Sequence, residues 1–298
     1  MGKIIENKVE SIVQNILSDY EDERTINKID LYNQPDKKAI LDIIQKLLKI
    51  LYPGYCSDKV YKIYSLKNNM SATIEDVIFH LNKQIMIVMR YCNTYPSCKE
   101  YELEEIASNI TYDFMSRIKK IREYLDTDIQ AAFEGDPAAS SKDEVILSYP
   151  GFYAISIYRL AHELVLLDVP MIPRIMTEHA HSVTGIDIHP GAKIGKYFFM
   201  DHGTGIVIGE TTVIGDHVKI YQGVTLGALS TKGGQKLKDV KRHPTIGDNV
   251  TIYSGSSILG GDTVIEENVV VGGNTFITQS IGKGTRVSVK EQELQLRN

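Results

Sequence analysis

The pattern of apolar and polar positions divides the chain into two parts with different periods. In the first part, apolar residues recur every three to four positions, which is the spacing of amphipathic helices. Pro and Gly residues mark the breaks between several of these segments. Six helices are predicted in this way, over Ile5–Ile16, Lys37–Leu51, Ile74–Val88, Leu103–Leu125, Pro150–Leu167 and Pro173–Val183.

After Val183 the aliphatic residues recur every six positions instead, with glycine, aspartate and asparagine between them. This period predicts a parallel β-helix, in which about six residues form each flat side of a triangular coil. Two interruptions occur, a two-residue slip between Ile206 and Ile208 and an excursion over Ala228–Arg242. The predicted inward-facing residues are Ile188, Ile194, Met200, Ile206, Ile208, Ile214, Ile220, Leu226, Ile246, Ile252, Ile258, Val264, Val270 and Phe276.

The two periods predict an α+β chain with an N-terminal helical domain and a β-helix carrying one extended loop. The helical domain is expected over residues 1–184, the β-helix over 185–289 and a short tail over 290–298. Glycine supports this division, because 19 of the 23 glycines lie from Gly185 onward. Glycine weakens helix interiors and is favoured at repeated tight turns.

Composition narrows the class of protein. The net charge of −5 excludes a general nucleic-acid binder, and no stretch is apolar and long enough to span a membrane. Three cysteines are too few for a disulfide scaffold and favour a reducing compartment. We therefore predict a cytoplasmic protein that binds neither nucleic acid nor a membrane.

Two histidines of the β-helix part stand in suggestive segments, His202 after Asp201 in MDHGTG and His243 after Arg242 in KRHPTIG. All the cysteines lie in the helical part, so chemistry on the β-helix is expected to be direct transfer assisted by a base, without an acyl-cysteine. The excursion is basic within an acidic chain. It is either a solvated loop or a docking site for a phosphorylated cofactor, and its cations are Lys232, Lys236, Lys238, Lys241 and Arg242.

Several segments together resemble the serine O-acetyltransferases. The resemblance covers about residues 130–285 and implies a left-handed β-helix that transfers acetyl from acetyl-CoA to the hydroxyl of L-serine, in cysteine biosynthesis. It is carried by GDPAA (Gly135–Ala139), YPGFYAISIYRLAHEL (Tyr149–Leu164), GIDIHPGAKIG (Gly185–Gly195), DHGTGIVIGET (Asp201–Thr211), YQGVTLGA (Tyr221–Ala228) and RHPTIGDNV (Arg242–Val250).

The resemblance implies a role for each matching catalytic position. His202 matches the general base that takes the proton of the serine hydroxyl, and Asp187 matches the carboxylate that orients it. His243 matches a second histidine that binds the serine carboxylate or supports the base, and Glu210 is a candidate to orient His243.

The substrates define the remaining positions that the resemblance implies. Asp136 and Asp201 match carboxylates for the serine ammonium, and Arg242 offers a planar fork to the serine carboxylate. Acetyl-CoA is expected as a co-substrate, with no permanently bound cofactor and no metal. Its contacts are predicted at Gly227, Ala228 and Ser254, and a family lysine near the cofactor is replaced here by Val269, so that excursion lysines are expected at its phosphates.

The resemblance also implies partners. A trimer or a dimer of trimers is expected, with the active site between adjacent β-helices, and L-cysteine is expected to inhibit at the serine site. Many relatives bind O-acetylserine sulfhydrylase through a terminal isoleucine. This chain ends in EQELQLRN, which predicts no tight complex of that kind.

Three other interpretations stay open from the sequence. A hexapeptide acetyltransferase for another hydroxyl or amine would share the fold and the histidine base, but gives no reason for Asp136, Asp187 and Asp201 to accompany Arg242-His243. A zinc enzyme like the γ-class carbonic anhydrases needs three converging histidines, and the close-spaced pattern is missing. A scaffold without activity is the third, and it predicts that His202→Ala has no effect.

Overall fold

The computed structural model describes residues 2–22, 24–27, 34–55 and 66–290. The chain divides into two compact units, Met1–Gln34 and Pro35–Asn298. The first unit contains helix α1, Gly2–Tyr20. The apolar stripe that predicts this helix, which includes Ile5, Val9, Ile12 and Ile16, is exposed.

The second unit begins with helices whose apolar stripes form its core. In α2, for example, Ile40, Ile44 and Leu47 are all at most 1 % exposed. The segment predicted as one helix over Leu103–Leu125 is divided at Arg117 into two, and one short helix was not predicted. The helices are α2 (Lys37–Leu51), α3 (Leu66–Tyr91), α4 (Glu100–Ser116), α5 (Ile118–Gly135), α6 (Lys142–Ser148), α7 (Pro150–Val165) and α8 (Ile172–Thr184).

Helix α7 is buried on nearly all sides because it packs against α8, α5 and the first strands of the β-helix. A buried ion pair joins these layers. Arg159 on α7 donates from Nε to Asp128 on α5 at 2.6 Å and from Nη2 to the carbonyl of Gly195 at 2.8 Å. Asp128 also accepts the backbone N–H of Phe198 at 3.0 Å. Removing one partner of such a pair costs about 3–5 kcal/mol, so this pair fixes the first coil against the helices.

The β-helix follows α8 and consists of short parallel strands in five coils. Each coil contributes one segment to each of three flat sides, so the aliphatic residues of successive coils stack inside the prism. The strands are β1 (Asp187–Ile188), β2 (Lys193–Ile194), β3 (Phe199–Asp201), β4 (Val207–Ile208), β5 (Val213–Ile214), β6 (Lys219–Tyr221), β7 (Thr225–Gly227), β8 (Thr245–Ile246), β9 (Thr251–Ile252), β10 (Ser257–Leu259), β11 (Val264–Ile265), β12 (Val270–Val271), β13 (Phe276–Ile277) and β14 (Arg286–Val287).

The strand order follows the coils. The first sheet runs β1-β4-β7-β10-β13, the second runs β2-β5-β8-β11, and the third runs β3-β6-β9-β12-β14. Register places Ile188, Ile208, Leu226 and Ile258 one above the next in the first sheet. The six-residue period therefore predicted the inward positions of the first coils.

The last three predicted inward positions are wrong by one residue. Val264 is 38 % exposed and Phe276 is 72 % exposed, whereas Ile265 and Val271 are fully buried. The cause is an additional residue after β10, where Gly260 takes a φ of 108°. From that corner onward, the residue after each predicted aliphatic position faces the prism interior.

The excursion leaves the coil after β7 and returns before β8. It contains one 3-10 turn, Gly234–Leu237. Arg242 holds it through Nη1, which donates to the carbonyls of Leu237 at 3.1 Å and Val240 at 3.4 Å. Of the helices described, none is long and apolar enough to cross a membrane.

Candidate functional site

Two clusters of charged and titratable side chains lie at opposite ends of the strands that form the first sheet. We call Asp136, Tyr149, Asp201 and His202 the first cluster. It forms where β3 turns into β4 and where α5 ends and α7 begins.

His202 lies in a corner that is two residues longer than its neighbour. Phe199 and Val207 are paired with Lys219 and Thr225, so eight positions in this coil match six in the next. His202 has a φ of 60° and its side chain is 72 % exposed. Its Nδ1 lies 3.6 Å from Oδ1 of Asp201. The insertion therefore lifts the imidazole out of the coil beside a carboxylate, as a proton acceptor would need.

Asp136 approaches the same corner from the helical part. Its carboxylate accepts the Tyr149 hydroxyl at 2.6 Å and the N–H of Ala138 at 2.8 Å. The Tyr149 hydrogen bond is the main cause that lowers the pKa of Asp136, and the charge of His202 contributes. Burial and the Asp136 carboxylate raise the pKa of Tyr149 to about 12. Asp136 is therefore an ionised carboxylate beside His202 and Asp201.

A close contact between α7 and β3 holds the first cluster together. A Cβ at Gly151, the second residue of α7, would lie 2.7 Å from the carbonyl oxygen of Met200. Glycine therefore lets the start of α7 approach the strand that ends in Asp201. Lys219 adds a further link, because its Nζ donates to the carbonyl of Gly135.

The second cluster, His189, Glu210, Arg242 and His243, lies where the first sheet meets the second. The Arg242 guanidinium donates through Nη2 to Glu210. Burial would raise the pKa of Glu210, but the Arg242 hydrogen bond and nearby positive charges lower it overall. Burial and the charge of Arg174 lower the pKa of His189.

His243 is held in one tautomer by Thr211. Its Nδ1 accepts the backbone N–H of Thr211 at 3.1 Å and lies 2.9 Å from Thr211 Oγ1. Burial, followed by the charge of Arg242, lowers the pKa of His243 to about 4. A neutral imidazole whose Nδ1 accepts carries its proton on Nε2. At neutral pH His243 therefore donates a hydrogen bond through Nε2, whereas a general base must accept a proton.

The position of the His243 ring depends on Gly209 and Lys241. A Cβ at Gly209 would lie 2.0 Å from His243 Cδ2 and 2.2 Å from its Nε2. Lys241 Nζ donates to the carbonyls of Thr211 at 2.7 Å, Pro244 at 3.2 Å and His243. The lysine therefore fastens the end of the excursion to the coil.

The two clusters of one chain cannot act on one small substrate together. His202 precedes strand β4, and Glu210 follows it on the same flat side. About six extended residues at 3.3 Å each give this side a length of roughly 20 Å.

Comparison with known proteins identifies the family to which this architecture belongs. The family model described as "Serine acetyltransferase, N-terminal" matches residues 80–156. The "Serine acetyltransferase, plasmid" of Synechococcus elongatus is 41 % identical over 263 residues, covering 86 % of this chain and 82 % of that protein. The chain belongs to the serine acetyltransferase family.

Solved structures of serine acetyltransferases share the fold. The crystal structure of isoform 3 from Entamoeba histolytica, in complex with cysteine, has a TM-score of 0.73 and 35 % identity, covering 100 % of this chain and 96 % of that one. The Neisseria gonorrhoeae enzyme in complex with serine has a TM-score of 0.54 and 26 % identity, covering 88 % and 98 %. The prediction of a helical part followed by a left-handed β-helix is confirmed.

Among the predicted site residues of this serine acetyltransferase family member, Asp136, Asp201 and His202 come together in the first cluster. Arg242 and His243 come together in the second. Asp187 begins β1 and pairs with Val207, which begins the strand after the His202 corner. Among the described residues its carboxylate lies 3.9 Å from Arg174 Nη1, and no hydrogen bond joins it to His202. Its role as the partner of His202 stays a prediction.

The residues predicted to contact CoA lie at both ends of the first sheet. Gly227 and Ala228 stand where β7 enters the excursion, and Ser254 lies at the corner between β9 and β10. A Cβ at Gly227 would lie 2.9 Å from Leu259 Cδ2, so glycine lets two coils approach there. Lys241 is engaged by carbonyls, whereas Lys232, Lys236 and Lys238 are exposed.

One group near Asp187 has donor atoms suited to a metal. Ligand atoms of Glu178, His181 and Asp187 lie within 4.8 Å of one another. Both carboxylates face the Arg174 guanidinium, which forms an ion pair with Glu178 and lies 3.9 Å from Asp187. Arg174 therefore already supplies the positive charge at this group.

Tyr149 and Thr211 are site residues that the sequence reasoning missed. Tyr149 contacts Asp136 13 positions away, and Thr211 contacts His243 32 positions away. Neither residue carries a charge or a periodic signal. Glu210 precedes Thr211 and was already a candidate residue, so its position was the signal that could have pointed to Thr211.

Proposed function

We propose that this chain transfers the acetyl group of acetyl-CoA to the hydroxyl of L-serine, giving O-acetylserine and CoA. The observation that carries the proposal is His202 raised from the coil beside Asp201 and Asp136. The names of the relatives support serine as the acceptor. An acceptor without an ammonium group would not need two carboxylates beside the base.

The first cluster fits the amino acid and the base. The serine ammonium lies between the carboxylates of Asp136 and Asp201, while its hydroxyl faces His202. His202 takes the hydroxyl proton as the oxygen attacks the thioester carbon. The tetrahedral intermediate then collapses, the C–S bond breaks, and the CoA sulfur leaves with a proton returned from His202. No acyl-enzyme forms; Cys92 and Cys98, the two cysteines in the described part of the chain, flank the loop between α3 and α4.

The second cluster supplies donors to the same reaction. His243 offers its Nε2–H to the serine carboxylate or to the oxyanion, since its Nδ1 is occupied by Thr211. Arg242 is the predicted cation for the serine carboxylate, although Glu210 and two loop carbonyls already engage its guanidinium. Asp187 is proposed to orient His202 once substrate is bound, because catalytic hydrogen bonds often tighten only in the complex.

The reaction needs the first cluster of one subunit to face the second cluster of the next. The length of the flat side keeps the two clusters of one chain apart, and His202 is open to water in the single chain. A second β-helix packed along the first sheet brings the clusters together and excludes water. We therefore propose a trimer of β-helices, with dimers of such trimers as the larger form.

The predicted ligands of the site follow from the same proposal. Acetyl-CoA lies along the first sheet near Gly227, Ala228 and Ser254, with excursion lysines at its phosphates. L-cysteine competes with serine, because it differs only in the thiol; the Entamoeba histolytica structure with cysteine supports this. The tail that bears on a sulfhydrylase complex, 291–298, lies outside the described residues, and the absence of that complex stays a prediction.

The test is release of the CoA thiol from acetyl-CoA, with and without L-serine, by the wild type and by His202→Asn. Asparagine tolerates the left-handed backbone at this position, so the substitution removes the base without backbone strain. His217→Asn is the matched control, because His217 is also exposed and has a φ of 57° at another corner. We expect a loss of at least about 100-fold for His202→Asn alone. Serine-independent release, or equal rates for both variants, would contradict the proposal.

A further inference from the structure

A cavity of about 400 Å³ lies between α5, α7 and the second sheet, away from both clusters. Its volume is within the range of small-molecule sites. One wall is apolar and is formed by Ile121, Leu166, Ile194 and Ile214. Such a wall can pack against the carbon part of a ligand.

The lining also includes three cations, Lys120, Arg159 and Lys193, and one carboxylate, Glu163. Arg159 is neutralised by Asp128, and Lys120 shares Glu163 with Arg117 at distances of 2.8 and 2.9 Å. Lys193 lines the cavity, yet among the described residues neither Lys193 nor its neighbour Lys196 has a carboxylate partner. Lys193 is thus a cation of the lining without a carboxylate partner in the described part of the chain, and Lys196 lies beside the cavity at the ring of Tyr124.

Three of these cations lie near the ring of Tyr124, which is on α5. Arg159 lies 4.8 Å from the ring centroid, Lys196 Nζ 5.3 Å and Lys120 Nζ 6.0 Å. Arg159 and Lys120 already have carboxylate partners in Asp128 and Glu163, whereas Lys196 has none among the described residues. A bound anion would supply a partner to Lys196 at this ring.

We propose that the cavity binds a small organic phosphate, with its phosphate on Lys120, Lys193 and Lys196 and its carbon part on the apolar wall. Lysines bind phosphate as point charges, whereas a carboxylate is best recognised by the planar fork of an arginine. The arginine fork in this cavity is committed to Asp128, to which Arg159 donates through two nitrogens. A phosphate dianion therefore suits the free charges better than a carboxylate.

The cavity is separate from the serine site. Lys120 is near the start of α5, and Asp136 follows the end of that helix. At 1.5 Å per residue, the 16 residues between them span roughly 24 Å. A ligand of the cavity can therefore bind while the first cluster is occupied.

The proposal is tested by calorimetric titration with phenyl phosphate and with inorganic phosphate, in the presence of saturating CoA. CoA occupies the excursion lysines that are proposed to bind its phosphates. The heat measured on titration therefore does not include phenyl phosphate binding at those lysines. We expect one site per chain and tighter binding of phenyl phosphate than of inorganic phosphate, because only the former reaches the apolar wall. Affinity should fall as NaCl is raised.

The double variant Lys193→Gln/Lys196→Gln removes the two unpaired cations. We expect it to weaken phenyl phosphate binding at least about tenfold, since hydrogen bonds to charged groups are lost. The control Lys83→Gln/Lys119→Gln makes the same charge change at exposed lysines outside the cavity and should bind like the wild type. Thermal unfolding of both variants checks the fold.

Three results would overturn the proposal. They are no binding at millimolar phenyl phosphate, an equal loss of affinity in both double variants, and binding without CoA that saturating CoA abolishes. None of these readouts uses the acetylation of serine, so they distinguish a failure of this proposal from a failure of the proposed function.

Discussion

The neutral, buried state of His243 makes the stability of the protein depend on pH. His243 is 8 % exposed, and its pKa in the folded state is about 4. In the unfolded chain the imidazole has its ordinary pKa of about 6.5. Between these values the unfolded state binds a proton that the folded state does not, so acid favours unfolding. The stability present at neutral pH is lost as the pH falls through this window.

The size of the effect follows from the two pKa values. Lowering the pH from about 7 to about 5 protonates most of the unfolded histidine and little of the folded one. Proton linkage then predicts a loss of about 2 kcal/mol in the free energy of unfolding from His243 alone. This is a large fraction of the stability of an ordinary domain.

The assay is urea unfolding of the wild type and of His243→Asn at pH 7 and pH 5, at one protein concentration. Asparagine offers Oδ1 to the Thr211 N–H in place of Nδ1 and does not titrate. The other titratable groups change the free energy of unfolding equally in both proteins, so their contributions cancel when the two losses are compared. We expect the wild type to lose about 2 kcal/mol more than the variant. Equal losses would refute the neutral, Thr211-bound imidazole.

Two further predictions concern how the second cluster is placed. Gly209→Ala should lower kcat about 100-fold by displacing the His243 ring. The control Gly282→Ala should leave kcat unchanged, because its Cβ meets nothing within 4 Å. A near-normal kcat for Gly209→Ala would contradict the position of the His243 ring. Subunits of His202→Asn and His243→Asn, each inactive alone, should regain about a quarter of wild-type activity when refolded together, because random mixing in the proposed trimer leaves that share of the sites intact. Absence of recovery would show that one chain carries a whole site.

The sequence predicted the architecture of the β-helix because its period directly reports which residues face the interior. Ile188 to Ile258 follow the prediction, and the error begins only at Val264, where one additional residue shifts the inward position. Helix boundaries were less predictable. The apolar stripe runs from Leu103 to Leu125 without a break and therefore gives no sign of the division at Arg117.

The candidate site was predictable where a charged residue stands beside a histidine in a recognisable motif. Asp201-His202 and Arg242-His243 are of this kind. The contacts that set their chemistry were not predictable, because they join positions that only the stacking of coils and helices brings together. Thr211 decides the tautomer of His243, and Tyr149 lowers the pKa of Asp136, across 32 and 13 positions.

The interruptions of the six-residue period are where the candidate site is built. The two additional residues before β4 lift His202 from the coil, and the excursion before β8 delivers Arg242 and His243. The third interruption, after β10, makes room for the excursion where it returns to the coil. A Cβ at Gly261 would lie 2.3 Å from the carbonyl oxygen of Lys241, so this corner needs glycine. A regular coil buries its aliphatic residues and turns on small ones. His189 and Glu210 stand at such regular corners, whereas His202 and His243, the two histidines with proposed roles, stand at departures from the repeat. Each of the three departures in this chain lies at one of the two clusters.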